Sequence, residues 1–153
     1  EVIYPLITPN GIGISPDGST LYVAETTTGK LYQWTITEPG HLELGESSRP
    51  QAQLLYALPD GLRFDSLAVD AEGYVNVSVL SLGSMDKNAG GICEISPNGE
   101  GRIIPTGDPM TTNICFGGKD CMTAYITCSD SGTLRSLSWP RKGIRLPFYD
   151  KAL

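Results

Sequence analysis

Two oxygen-bearing side chains stand in matching places. Asn10 precedes the short apolar strand Ile12–Ile14, and Asp65 precedes Leu67–Val69. An amide oxygen and a carboxylate brought to one point suit a hard divalent cation such as calcium, magnesium or manganese. On spacing alone a plainer reading stands beside this one, because Asn and Asp before a strand also cap turns. Which reading holds depends on whether the chain brings the two residues together.

The elements that would position them are hairpins. In Pro9–Ala24, Ile12 and Ile14 and then Leu21 and Val23 alternate with small or polar residues, the period of a pleated strand. Between them Pro16-Asp17-Gly18 has turn chemistry: Pro presets φ, Asp caps locally, and Gly takes a positive φ. The pattern returns at Phe64–Val77 and again at Thr111–Asp120 running into Ala124–Thr127, so that Asn10, Asp65 and Thr112 are equivalent. A hairpin-built repeat of roughly 50 residues predicts a β-propeller with one four-stranded blade per repeat. The chain reads as one all-β propeller portion, 1–153, with blades at about 10–57, 65–104 and 112–149. Glu1–Ile7 reads as the outermost strand of an earlier blade, and Gly143–Tyr149 as a last edge strand.

Rotation about a propeller axis brings equivalent positions together at one channel mouth. Asn10 and Asp65 should therefore share a mouth with the loops Thr26–Gly29, Ser81–Gly91 and Ser129–Gly132. The turns at Asp17, Glu72 and Lys119 should lie at the other end. Within the long loop, Met85, Asp86 and Lys87 are candidate substrate contacts.

Composition narrows the partners. The net charge of −6 argues against nucleic acid and anionic membrane. There is no apolar run of about 18 residues to span a bilayer. With 18 Gly and 11 Pro, turns are abundant and long helices are not expected. No leader is visible, and a cytoplasmic location is expected. The four cysteines, Cys93, Cys115, Cys121 and Cys128, do not have zinc-site spacing. They read as buried free thiols, with a disulfide from Cys128 to Cys115 or Cys121 as the alternative. His41, the sole histidine, has no GxSxG elbow to serve. Glu25 reads as a surface acid, Ser129 and Asp130 as turn caps, and Asn76-Val77-Ser78 as a strand rather than a glycan acceptor. A closed propeller needs about 4–8 blades, so the ring is expected to be completed by further N-terminal blades or by a second chain.

Three segments carry a family resemblance: Pro9-Asn10-Gly11-Ile12 with Ser15-Pro16-Asp17-Gly18 and Leu21-Tyr22-Val23; Asp65-Ser66-Leu67-Ala68-Val69-Asp70-Ala71-Glu72-Gly73; and Thr111–Asp120 with its Cys115-Phe116-Gly117-Gly118, leading to Tyr125-Ile126-Thr127-Cys128. In this order they resemble the C-terminal half of the gluconolactonase/regucalcin (SMP-30-like) six-bladed propellers. The resemblance implies a hydrolase acting on sugar lactones or related esters around one divalent metal. That metal would be calcium first, with zinc, magnesium or manganese as alternatives. It makes Asn10 a metal-binding asparagine and Asp65 a metal-binding aspartate that also serves as general base. Ser66 stands where many members have Gly. The family's metal-binding glutamate and its other substrate ligands lie on blades outside this chain. Readings from other classes are a non-catalytic calcium-binding or protein-interaction propeller, and a strictosidine-synthase-like propeller.

Overall fold

The computed structural model describes residues 2–47, 49–83, 85–86 and 88–146. They form three antiparallel sheets and no helix. The first sheet is β1 (Pro9–Ile14), β2 (Thr20–Glu25), β3 (Lys30–Glu38) and β5 (Gln53–Ala57), with the two-residue β4 (His41–Leu42) also paired to β3. The second is β6 (Arg63–Val69), β7 (Val75–Leu80), β8 (Gly91–Ile95) and β9 (Gly101–Pro105). The third is β10 (Thr111–Gly117), β11 (Thr123–Cys128) and β12 (Thr133–Ser138). Every sheet is a meander, and each of β1, β6 and β10 pairs with the strand that follows it.

Hairpin chemistry explains the turns. Asp17 Oδ1 accepts from Ser15 Oγ at 2.6 Å and from Ser19 N at 3.0 Å, and Gly18 takes φ 77°. These bonds, led by the one from Ser15, pull the Asp17 carboxyl down to about 2. Asp70 does the same work in the second hairpin, accepting from Glu72 N and Tyr74 N.

The sheets stack face to face. Tyr22, Ala24 and Leu31 of the first meet Phe64, Val75, Val77 and Val79 of the second. On the other side of the second sheet, Ile92 packs with Ile114, Ala124 and Ile126 of the third, and Trp139 joins them. The middle sheet is thus covered on both faces, and every residue of β7 and β8 is buried. Each fully buried Val or Ile in these layers contributes roughly 1.5–3 kcal/mol.

The contact between the first two sheets is close because β1 carries glycines there. A Cβ at Gly11 would come within 2.7 Å of the Asp65 carbonyl oxygen, and one at Gly13 within 2.7 Å of Leu67 Cδ1. Leu67 and Val69 lie over this glycine surface. Their equivalents in the third sheet, Ile114 and Phe116, belong to the apolar cluster between the second and third sheets, which Ala68 also joins. Their equivalents in the first sheet, Ile12 and Ile14, are 64% and 50% exposed. At the other end of the stack Leu134 and Tyr125 are exposed.

Four expectations are corrected. Residues 2–7 are not a strand: Ile3 and Leu6 pack against Trp34 and Leu42 without a ladder. Residues 143–146 do not form an edge strand either; Gly143 makes one bridge, to Asp70 of the second sheet, and the residues beyond 146 lie outside those described. All four cysteines are free, but Cys115 is exposed, because it points from β10 away from the second sheet. Glu25 is buried, 4% exposed, and ties two segments together.

Candidate functional site

The three inner strands share a defect. The β1–β2 register shifts between Pro9 and Ile12, the β6–β7 register between Phe64 and Leu67, and the β10–β11 register between Thr111 and Asn113. Asn10, Asp65 and Thr112 each sit in one of these bulges. A bulge adds an unpaired residue and turns its side chain off the regular alternation, which is how bulges re-aim side chains at sites. Composition and periodicity carry no mark of it, because a one-residue slip leaves the apolar pattern on either side intact.

The first two bulged residues meet. Asn10 Nδ2 donates to Asp65 Oδ1 at 2.7 Å, joining the first and second sheets across 55 residues. Asn10 Nδ2 also donates to Thr26 Oγ1 at 3.3 Å. Burial raises the Asp65 carboxyl above its ordinary value of 3.8, countered in part by the hydrogen bonds from Asn10 and from the Ser66 N–H. The bulge below Asp65 is braced from inside: Ser78 Oγ, fully buried on β7, donates to the Ser66 carbonyl at 2.7 Å. Gly11 completes the arrangement, since any side chain there would push against the Asp65 backbone.

Thr112 is engaged within its own sheet. Its hydroxyl lies 2.9 Å from Thr127 Oγ1 and 3.1 Å from Ser129 Oγ. In the loop before β8, Met85 is 96% exposed. Asp86 Oδ1 accepts from Asn88 N at 2.9 Å within the loop's own turn. Lys87 lies outside the described residues.

Other polar side chains are engaged away from this point. His41 faces Glu38 at 3.5 Å in the exposed β3–β4 turn. Asp108, 1% exposed, accepts from Ser131 Oγ at 2.6 Å, Ser131 N at 2.8 Å and Met110 N at 2.8 Å. Burial raises the Asp108 carboxyl, but these bonds outweigh it and leave it below its ordinary value. Asn76 is fully buried, so its side chain is not available to a glycan.

The donor set at Asn10 and Asp65 is one amide and one carboxylate, both hard oxygens, which fits calcium, magnesium or manganese better than a soft ion. The amide orientation fits too: Nδ2 is the atom spent on protein partners, which leaves Oδ1 for a cation. Among the described residues no cluster of three or more His, Cys, Asp or Glu side chains could hold a metal.

Comparison with known proteins gives the context. Residues 1–130 match the family described as SMP-30/Gluconolactonase/LRE-like region. A 6-deoxy-6-sulfogluconolactonase of Pseudomonas putida is 30% identical over 139 residues, covering 88% of this chain and 43% of that protein. The solved gluconolactonase of Xanthomonas campestris is 26% identical with a TM-score of 0.66, over 92% of this chain and 40% of that one. The calcium-binding protein regucalcin of Agrobacterium tumefaciens, at 21% identity, shares the fold with a TM-score of 0.68, over 92% of this chain and 49% of that one. The chain thus spans less than half the length of each of these three proteins.

Proposed function

The chain belongs to the SMP-30/gluconolactonase/LRE-like family, and from that premise we propose that it forms part of the ring of a divalent-metal-dependent hydrolase of sugar lactones or related lactones. One observation carries the reading: two bulged residues of successive blades, distant in sequence, hold their side chains 2.7 Å apart where the inner strands begin. The sulfogluconolactonase and gluconolactonase relatives support a lactone as the substrate class.

Asn10 Oδ1 and the Asp65 carboxylate are the groups that would hold the ion. When bound, a divalent ion supplies Lewis acidity toward the lactone carbonyl. Asp65 would take the proton of a water as its oxygen forms a bond to the carbonyl carbon. The ring C–O bond then breaks, and Asp65 returns the proton to the departing ring oxygen. The product is the open hydroxy acid. The Thr26–Gly29 loop borders the same point through Thr26. Met85, Asp86 and Lys87 are proposed to meet the substrate from the neighbouring loop.

The metal requirement is tested by chelation. Hydrolysis of a sugar δ-lactone should fall to background in EDTA and return on adding excess calcium or manganese. Full activity in a dialysed, chelator-treated sample would contradict the proposal.

Ring completion belongs to the same reading. We propose that further blades of this kind cover Ile12 and Ile14, as the glycine face of β1 covers Leu67 and Val69 and as the contact with the second sheet takes up Ile114 and Phe116. An Ile12→Asp substitution then puts a carboxylate into a blade–blade contact. The expected cost is about 2–3 kcal/mol, read from the urea midpoint of the whole protein. A change below about 0.5 kcal/mol, the ordinary range for surface positions, would mean that this face stays in water.

A further inference from the structure

Glu25 is followed by three threonines, and each hydroxyl has a different partner. Thr28 Oγ1 donates to Glu25 Oε2 at 2.7 Å. Thr27 Oγ1 accepts from Thr8 Oγ1 at 2.8 Å. Thr26 Oγ1 accepts from Asn10 Nδ2. The first two bonds hold the loop against the chain entering β1, with help from Glu25 Oε1, which accepts from Ile7 N at 2.7 Å. The Thr26 backbone is fixed separately, its N–H donating to the Thr8 carbonyl at 3.0 Å. The Thr26 hydroxyl is thus the one member of the run turned toward Asn10, on a backbone anchored by other groups.

We infer that Thr26 is a positioning residue that holds the plane of the Asn10 amide from which Oδ1 is offered to a cation, an inference that rests on the metal site proposed above. A primary amide has two N–H donors and one acceptor oxygen. At Asn10 one donor is directed at Asp65 and the second at Thr26, so the side chain is held at two points. The Asp65 carboxylate, which only accepts, fixes which amide atom faces it. Rotating the amide by half a turn would aim Oδ1 at that carboxylate and lose the bond, whereas the Thr26 hydroxyl could donate in place of accepting. With Asp65 setting the orientation, Thr26 pins the amide plane at a second point before any ion arrives. Outer partners that orient a ligand in this way are worth about 10–100-fold in metal affinity.

The test is calorimetric titration of the full chain with manganese alone, without substrate. Thr26→Val keeps the shape and the backbone bond to Thr8 but removes the acceptor. Thr26→Ala removes it with a smaller side chain, and Thr26→Ser restores it. Binding should weaken about 10-fold in the Val and Ala variants and stay within about 2-fold of the parent in the Ser variant, with all melting temperatures alike. Equal affinity in the parent and the Val variant would overturn the role of Thr26 and leave the metal site standing. Weakening in the Ser variant equal to that in Val would show that restoring the hydroxyl does not restore binding, and it too would overturn the role. A parent whose manganese binding is absent, or survives Asp65→Ala unchanged, would overturn the metal site and this inference together.

Discussion

Replacing Asp65 by Ala should lower kcat/KM for lactone hydrolysis by about 10³-fold or more, with the melting temperature little changed. Asp65 is asked to do two things, to hold an ion and to accept a proton, and loss of a positioned base alone costs about 10²–10⁴-fold. Asp65→Asn separates the two. The amide keeps an oxygen for the ion and an acceptor for the Asn10 N–H, but it cannot take the proton. Manganese affinity should then fall less in Asn than in Ala, while kcat falls by a similar factor in both. A fall confined to KM would mean that Asp65 contributes only uniform binding. Retained kcat in either variant would remove Asp65 from the chemistry.

The second large effect lies at the far end of β6. Arg141 follows Trp139, whose backbone N–H donates to the Met122 carbonyl at 2.7 Å and so directs the chain back under the second sheet. There Arg141 Nε donates to Asp70 Oδ2 at 2.7 Å, Nη2 bonds Glu94 Oε1, and the guanidinium lies 3.8 Å from the centre of the Tyr74 ring. Arg141 is 11% exposed, Asp70 fully buried and Glu94 4% exposed. Removing the cation strands two carboxylates away from water. Arg141→Ala should cost about 3–5 kcal/mol, read from the urea midpoint. Arg102, whose side chain is 68% exposed, also bonds Glu94, but at the surface it compensates little.

This cluster carries a pH signature. Burial raises the Glu94 carboxyl, yet the hydrogen bonds and charges of Arg141 and Arg102 outweigh it and hold the group below its ordinary value of 4.5. A depressed carboxyl contributes stability that is fully present above its unfolded value and is lost as the pH falls through the folded one. The parent should therefore lose stability from about pH 4.5 downward, and the Arg141→Ala protein should lose less of it over the same interval. Parallel acid profiles for the two proteins would show that the pair contributes nothing in this range.

Much of the fold could be read from local chemistry, because each hairpin declares itself. Asp17 with Gly18, and Asp70 with Gly73, are turn residues flanked by period-two apolar runs, and the turns form there. What escaped depends on partners in space. The run Val2–Ile7 is apolar enough for a strand, but a strand exists only against a neighbour's ladder, and among the described residues none lies beside it. Cys115 follows the alternation of β10, yet its exposure is decided by what stands beyond the third sheet. Glu25 ends a strand like any surface acid, and its burial comes from the backbone of Ile7 folding over it. At the candidate site, the equivalence of Asn10 and Asp65 was visible as a repeat, whereas the bulges that aim them and the Thr26 contact arise only once strands pair. The threonine run was the available signal, since three consecutive hydroxyls after a strand ask for partners.

The most direct test of the account is anomalous diffraction from crystals of the protein grown with manganese. The account predicts a peak within coordination distance of both Asn10 Oδ1 and the Asp65 carboxylate, lost in the Asp65→Ala protein. Well-ordered Asn10 and Asp65 side chains in fully loaded crystals, with no anomalous density between them, would contradict it.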